Sequence, residues 1–402
     1  MNLISANENF GRLNKNYIFA EVALRTQAYK KENPLSDIMN LGIGDVTLPL
    51  PYPISRAMAE AALEMSTPCG FHGYPPSGGY GFLREKLAAR YGLFGVSLSE
   101  EEIFISDGAK SDLAAFHELF DFFAALQISP SYPVFGESCL LRGKKLISLP
   151  ATRENAFLPL PPKGISGGSY LIYLCSPANP TGAAYGREAL GKWVDFAKES
   201  GSIILFDCAY EGYIRDDLPH SIFEIPDAKY CCVEMGSFSK FAGMTGIRCS
   251  WCAIPHELSA RGMNVGTLWS RRQNMKFNGV SYIIQRGAEA ALSAEATPLL
   301  QANIDYYMKN AAVIADVLEA HGLYFTGGRN SPYIWLYCGD SWNFFEALLH
   351  AGIVGTPGVG FGPLGEGYFR LTSFGSRDDV TEAAKRLDDF LQSNHNFTAY
   401  NP

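Results

Sequence analysis

Residues 237–248 read SFSKFAGMTGIR, and Lys240 is the side chain in this stretch from which chemistry can start. A primary amine among serines and glycines lies where the backbone is bare and hydroxyls and N–H groups can receive an anion. Arg248 closes the stretch with a fork-shaped cationic donor suited to phosphate or carboxylate. Taken alone, these residues also describe an ordinary surface loop.

Three other segments carry groups of comparable use. SPANPTG holds Asn179 in a proline-rich turn, LFDCAY holds Asp207 and Tyr210, and ISDGAKSD holds Gly108, Ala109 and Lys110. A helix that starts on Gly108–Lys110 points free N–H groups and the positive end of its dipole at whatever lies before it, which suits a phosphate. Each position has a plain structural alternative. Asn179 can hold a turn, Asp207 can cap a helix, Tyr210 can fill a core, and Ser106 or Asp107 can be the N-cap of the helix. Asp207 resists the plain reading best, because it ends the apolar run SIILF and carries a charge inward.

The elements that must position these groups follow from periodicity. SYLIYLCSP (169–177), SIILFDCAY (202–210) and YCCVEMGSF (230–238) read as buried strands. Between the first two, GREALGKWVDFAKES (186–200) has helical apolar spacing at Leu190, Trp193, Val194 and Ala197. Strand, helix and strand at this spacing predict right-handed crossovers and an α/β fold with a mostly parallel sheet covered on both faces. Residues 298–322 form a long helical pattern that continues N-terminal to its proline, 332–339 a strand, and 341–352 a helix closed by Gly352. These predict a smaller α+β unit against the central sheet.

Ligands of an open α/β sheet collect outside the carboxyl ends of its strands. Asn179, Asp207–Tyr210 and Lys240 all follow such ends, so the plain readings must hold at every one of them together. A phosphate site, an inward acid, a phenol, an amide and a lysine amine instead match one cofactor, pyridoxal 5′-phosphate. The amine can condense with its aldehyde. The carboxylate of Asp207 favours a protonated ring nitrogen. Tyr210 and Asn179 can donate to the ring oxygen, while Ser237, Ser239 and Arg248 complete a phosphate cup with the helix start.

In this order, NPTG, D-x-x-Y and SFSK-x-x-G-x-x-G-x-R, the chain resembles the fold-type I, class I/II aminotransferases over nearly its whole length. GYFRLTSFGSRDDV (367–380) is similar to the family's carboxylate-binding segment, which implies that Arg370 binds the substrate α-carboxylate. NYIFAEVALR (16–25), MNLGIGDVTLPLP (39–51), ISDGAKSD (105–112), SPSYPVF (129–135) and RRQNMKFNGVSY (271–282) resemble the LL-diaminopimelate aminotransferases in particular.

That resemblance implies a large cofactor-binding domain over 48–290 and a small domain built from 1–47 and 291–402. It implies that Tyr132 stacks on the pyridine ring and that Gly44 lines the substrate site, with Lys110, Tyr132 and Asn179 serving substrate as well as cofactor. It implies a homodimer in which Tyr17, Tyr74 and Asn278 reach the neighbouring subunit's site; packing explains Tyr17 equally well. The implied reaction interconverts LL-2,6-diaminopimelate plus 2-oxoglutarate with tetrahydrodipicolinate plus glutamate, in lysine and meso-diaminopimelate synthesis. Where the family pattern is Y-G-x-E-Q-G, with the acid helping to recognise the distal ammonium, this chain has YPPSGG, with Ser77 and Gly78 in those places. That opens an aspartate-, alanine- or aromatic-type aminotransferase of broader range as an alternative. Elimination chemistry on the same cofactor, or a module that binds it without turnover, are the other readings of these residues.

Bulk properties narrow the field further. With 33 Lys and Arg against 41 Asp and Glu, the net charge of −8 argues against nucleic acid and against a basic membrane-surface protein. The nine cysteines form no disulfide-like framework, and Cys249 and Cys252 in IRCSWCAI read as packing residues of a strand, without a partner pair for zinc. The N-terminus has no apolar signal region and no stretch has the length of a bilayer span, so a soluble cytoplasmic protein is expected.

Overall fold

The computed structural model describes residues 4–13, 17–164 and 168–394. Seven strands make the central sheet, in the spatial order Ile103–Ser106, Ser250–Ala253, Cys232–Ser237, Ile203–Asp207, Tyr170–Cys175, Ala124–Ser129 and Leu146–Pro150. Five neighbours run parallel, from Cys232–Ser237 to Leu146–Pro150. Ser250–Ala253 alone runs antiparallel to both of its neighbours.

Alternation along the strands explains why the sheet is buried twice over. Ile172, Leu174, Ile204 and Phe206 enter one apolar core, while Leu171, Tyr173, Leu205, Val233 and Met235 enter another on the opposite face. The helix Arg187–Ser200 covers the first core with Leu190, Trp193, Val194 and Ala197, all fully buried, and stops where Gly201 turns left-handed at φ 63°. Cys249 and Cys252 are buried free thiols, as their strand pattern predicts. Among the described residues no group of His, Cys, Asp and Glu could hold a metal ion, and no helix is long and apolar enough to cross a membrane.

A second, antiparallel sheet orders Phe325–Gly327, Tyr333–Tyr337, Tyr368–Thr372 and Thr356–Pro357. Its core joins Ile18, Val22, Met39 and Leu41 from the start of the chain to Leu318, Leu336, Leu371 and Leu387. Met39–Asn40 also pairs in parallel with Ile353–Val354. The long helix runs Thr297–Ala320, with Pro298 tolerated in its first turn, where no intrahelical N–H is needed. The helix Ser341–His350 ends before Gly352, whose φ is 78°.

Candidate active site

A cleft of about 530 Å³ opens at the carboxyl ends of the parallel strands, between the two sheets. Of the residues expected from the sequence to bind cofactor or substrate, all line it except three: Tyr74, Asn278 and Gly108, the last adjoining Arg248. Tyr74 and Asn278 are exposed and lie outside the cleft of their own chain. Tyr17 lines its own chain's cleft beside Tyr132, where the helix Ile18–Glu32 starts and Lys110 Nζ sits 5.2 Å from its ring centroid.

Lys240 is held on the helical turn Phe238–Phe241 that follows the strand Cys232–Ser237. Its Nζ donates to the carbonyl of Gly44 and lies 5.7 Å from the Phe374 ring centroid. Burial lowers its pKa to about 8; Asp45 opposes the fall, and Arg370 and Arg248 add to it. The amine is therefore released as a neutral nucleophile at lower pH than an ordinary lysine, mostly so above about pH 8.

Asp207 ends the strand Ile203–Asp207, deep in the cleft wall. Tyr173 donates its hydroxyl to Oδ2 at 3.0 Å and the Ala209 N–H donates to Oδ1 at 3.0 Å. Burial raises the carboxyl pKa, while these two neutral donors restrain the rise. No lysine or arginine pairs with it among the described residues, so its charge is complemented only by a cation that enters the cleft.

At the opposite end the helix Ala109–Phe116 begins after Gly108, with no side chain capping it. Neither Ser106 nor Asp107 takes the N-cap position; Ser106 instead donates to the buried Asp112 and pairs with Ser250. Gly108 has φ 154° and ψ 138°, and a Cβ built there would lie 2.1 Å from Arg248 Nη2. The bare backbone thus lets the guanidinium close over the helix start. Arg248 itself is held at φ 69°, an uncommon conformation for a residue with a side chain. Ser237 and Ser239 face the same space, and together these groups form an anion cup.

Arg370 lies in the second sheet, opposite Trp335 and Thr356, and is 1% exposed. Its Nη1 donates to Asn179 Oδ1 and its Nη2 to the Gly42 carbonyl, both at 2.8 Å, and its Nε has no partner. Its guanidinium carbon is 4.6 Å from the Tyr333 ring centroid. Burial lowers its pKa, and no carboxylate pairs with it among the described residues. A buried cation among neutral acceptors is built to receive a carboxylate.

Tyr333 and Tyr173 were not singled out from the sequence, although both belong to the site. The Tyr333 hydroxyl shares a hydrogen bond with that of Tyr210 at 2.5 Å, and a Cβ on Gly44 would meet it at 2.4 Å. Gly44 is therefore required for this close approach. Asp45, which lines the cleft next to Gly44, was not singled out either. The assembled site can hold an anion at the helix start, a cation at Asp207, a carbonyl within reach of Lys240 and a carboxylate at Arg370.

Residues 36–387 match the family described as aminotransferase class I and II. The LL-diaminopimelate aminotransferase of Prochlorococcus marinus is 44% identical over 409 aligned residues, covering 96% of this chain and 99% of that protein. The enzyme of the same name from Lawsonia intracellularis is 45% identical, covering 96% and 98%. The solved structure of L,L-diaminopimelate aminotransferase from Chlamydomonas reinhardtii superposes with a TM-score of 0.89 at 39% identity, covering 96% of this chain and 98% of that one.

Proposed function

The chain belongs to the class I and II aminotransferases, and from that premise we propose that it interconverts LL-2,6-diaminopimelate plus 2-oxoglutarate with tetrahydrodipicolinate plus glutamate. The place of such a step is the diaminopimelate branch of lysine and peptidoglycan-precursor synthesis. The family's cofactor is pyridoxal 5′-phosphate, and the donor set fits it. The anion cup of Gly108, Ala109, Lys110, Ser237, Ser239 and Arg248 suits the phosphate, and the unpaired acid Asp207 suits a protonated ring nitrogen. Tyr132 provides a face for the ring, and Tyr210 and the amide of Asn179 donors for its oxygen. Bound there, the cofactor supplies an aldehyde that exchanges with amino groups and a ring that withdraws electrons from the substrate Cα.

The chain's own residues do the remaining work. Arg370 takes the α-carboxylate as a fixed fork and so orients the Cα–H bond. Lys240 Nζ, once free, takes the proton from Cα and returns a proton in the reverse half-reaction. Asp207 keeps the ring nitrogen protonated, and Gly44 leaves room for substrate beside Tyr333. Lys110 and Tyr17, at the outer wall, face the distal half of a long dicarboxylic substrate.

The observation that carries the transaminase reading is the buried Arg370, a guanidinium with an unpartnered Nε and, among the described residues, no carboxylate paired with it. The choice of amino donor rests on the likeness to the Prochlorococcus and Lawsonia enzymes. One feature favours broader range: Ser77 stands where that family has an acid, and its hydroxyl donates to Asn274 Oδ1 at 2.8 Å on an exposed surface. The test is a competition assay of the cofactor-loaded protein with LL-diaminopimelate, aspartate and alanine as donors to 2-oxoglutarate. A higher kcat/KM for aspartate or alanine would replace the lead reading with the broader one. Lys240→Ala should retain part of the cofactor affinity and lose turnover; normal turnover would remove the lysine from its role.

A homodimer fits the same reading. Ser77 bonds Asn274, and Gly279 packs on Pro75 and Pro76, which puts Tyr74 and Asn278 on one outward surface. Tyr74 is 87% exposed, an unusual state for a tyrosine unless a neighbour covers it. A second copy seated there would receive both residues in its cleft. The division into a 48–290 cofactor domain and a small domain from both termini, and a cytoplasmic location, complete the proposal.

A further inference from the structure

Behind the strand ends that carry Asp207 and Lys240 lies a second cluster of ionisable groups that the reaction does not use. Glu211 directly follows Tyr210 and is 5% exposed. Its Oε1 pairs with Arg90 Nη2, from the helix Gly81–Gly92, and its Oε2 lies 3.1 Å from His220 Nδ1. The Arg90 guanidinium also lies 5.4 Å from the ring centroid of Phe241, the residue next to Lys240. His220 stacks on Phe94 at 4.9 Å, closing the cluster from outside.

A second acid, Glu234, faces the same small enclosed cavity from the neighbouring strand. It accepts from the Ser221 hydroxyl at 2.7 Å and the Ile222 N–H at 2.8 Å. Tyr91, Cys208 and Trp251 complete the lining, with Trp251 Nε1 donating to the Tyr91 hydroxyl at 3.0 Å. Burial pushes the Glu234 carboxyl up to about 7. Burial also pushes Glu211 up, but Arg90 and His220 outweigh it and hold that carboxyl below its usual range. The cluster therefore holds one acid in an ion pair and raises the other toward its neutral form.

A buried ion pair is weak evidence of stabilisation, because the desolvation of both ions offsets most of their attraction. Its placement is the informative fact. Through Glu211 it holds the backbone turn that aims Tyr210, and through Phe241 it abuts the turn that aims Lys240. We propose that Arg90 and Glu211 are positioning residues: their pair fixes Tyr210 and Lys240 against Asp207, and so governs the chemical step more than substrate affinity. The assay rests on the aminotransferase reading above.

The test compares Arg90→Met, Glu211→Gln and the double variant with the cofactor-loaded parent protein. Each is assayed for kcat and KM with the best amino donor and for the pH midpoint of its visible absorbance. The absorbance titration needs no amino acid, so its outcome is separable from the identity of the donor. The expected result is a tenfold or greater fall in kcat, KM within twofold, and a displaced absorbance midpoint, with Arg90→Lys recovering part of kcat. The double variant leaves no unpaired buried charge, so it remains informative if a single variant fails to fold. A double variant with parental kcat and absorbance midpoint, changed only in melting temperature, overturns the proposal. So does a rise in KM at unchanged kcat.

Discussion

The Tyr173 hydroxyl donates to Asp207 Oδ2 at 3.0 Å, from the adjacent parallel strand and the same face of the sheet. A neutral donor in this position steadies the carboxylate without cancelling its charge. Asp207 thereby stays available to a cation in the cleft, while its two donors restrain the rise in pKa that burial imposes. Asp207→Asn should cost about 10²-fold or more in kcat, the scale of losing a preorganised charge at a reacting centre. Tyr173→Phe removes one donor to a charged group and should cost about tenfold. Steady-state kinetics of the two variants check the ranking, which fails if Tyr173→Phe is the more damaging.

Gly108 offers a test of the anion cup. Its φ of 154° suits glycine alone, and a Cβ there would meet Arg248 Nη2 at 2.1 Å. Gly108→Ala therefore strains the backbone by about 1–3 kcal/mol and pushes the guanidinium away from the helix start. Cofactor affinity should fall about tenfold or more, since 1.4 kcal/mol is a factor of ten. Titration of the apoprotein with pyridoxal 5′-phosphate measures this, and an unchanged Kd would place the phosphate elsewhere.

Part of this site was legible in the sequence, for a definite reason. Lys240, Asp207 and Asn179 follow apolar strands, and a polar group at the end of a buried strand has few plain explanations. The strand and helix positions were legible too, because apolar spacing sets them locally. Tyr173 and Tyr333 were not, since a tyrosine inside YLIYLC or YIWLY has the pattern of core filler and its partner is distant in the chain. The Tyr210–Tyr333 bond joins residues 123 positions apart, one in the turn after a central-sheet strand and one in the second sheet. The antiparallel direction of Ser250–Ala253 likewise depends on where the chain returns, which periodicity does not encode.

Arg370 should tolerate no exchange for lysine. Its two terminal nitrogens are each committed, to Asn179 and to Gly42, and these bonds fix the plane of the fork. A lysine ammonium is a point charge without that plane. Arg370→Lys should lower kcat/KM by about 10²-fold, the cost of a misplaced substrate, while leaving cofactor binding intact. A cofactor Kd that moves with kcat/KM would show that Arg370 acts on the cofactor site rather than on the carboxylate.

The pH response of the apoprotein follows from Lys240. Burial, with Arg370 and Arg248 adding to it against Asp45, lowers this amine from 10.5 to about 8. Below about 8 it is an ammonium and cannot attack an aldehyde, so covalent attachment of pyridoxal 5′-phosphate should rise about tenfold per pH unit there and level off above. Borohydride trapping at Lys240 against time and pH measures that midpoint. The sign for stability runs the same way. Between about pH 8 and 10.5 the unfolded chain binds the proton that the folded chain has released, so apoprotein stability gains from this group as pH rises through that window. Below it the cost of burying the charge is fully present. Lys240→Met removes both states, so denaturant melts of parent and variant apoprotein should converge in pH dependence only when this contribution is subtracted. Identical slopes for the two proteins between pH 8 and 10 would show that the lysine titrates at its ordinary value.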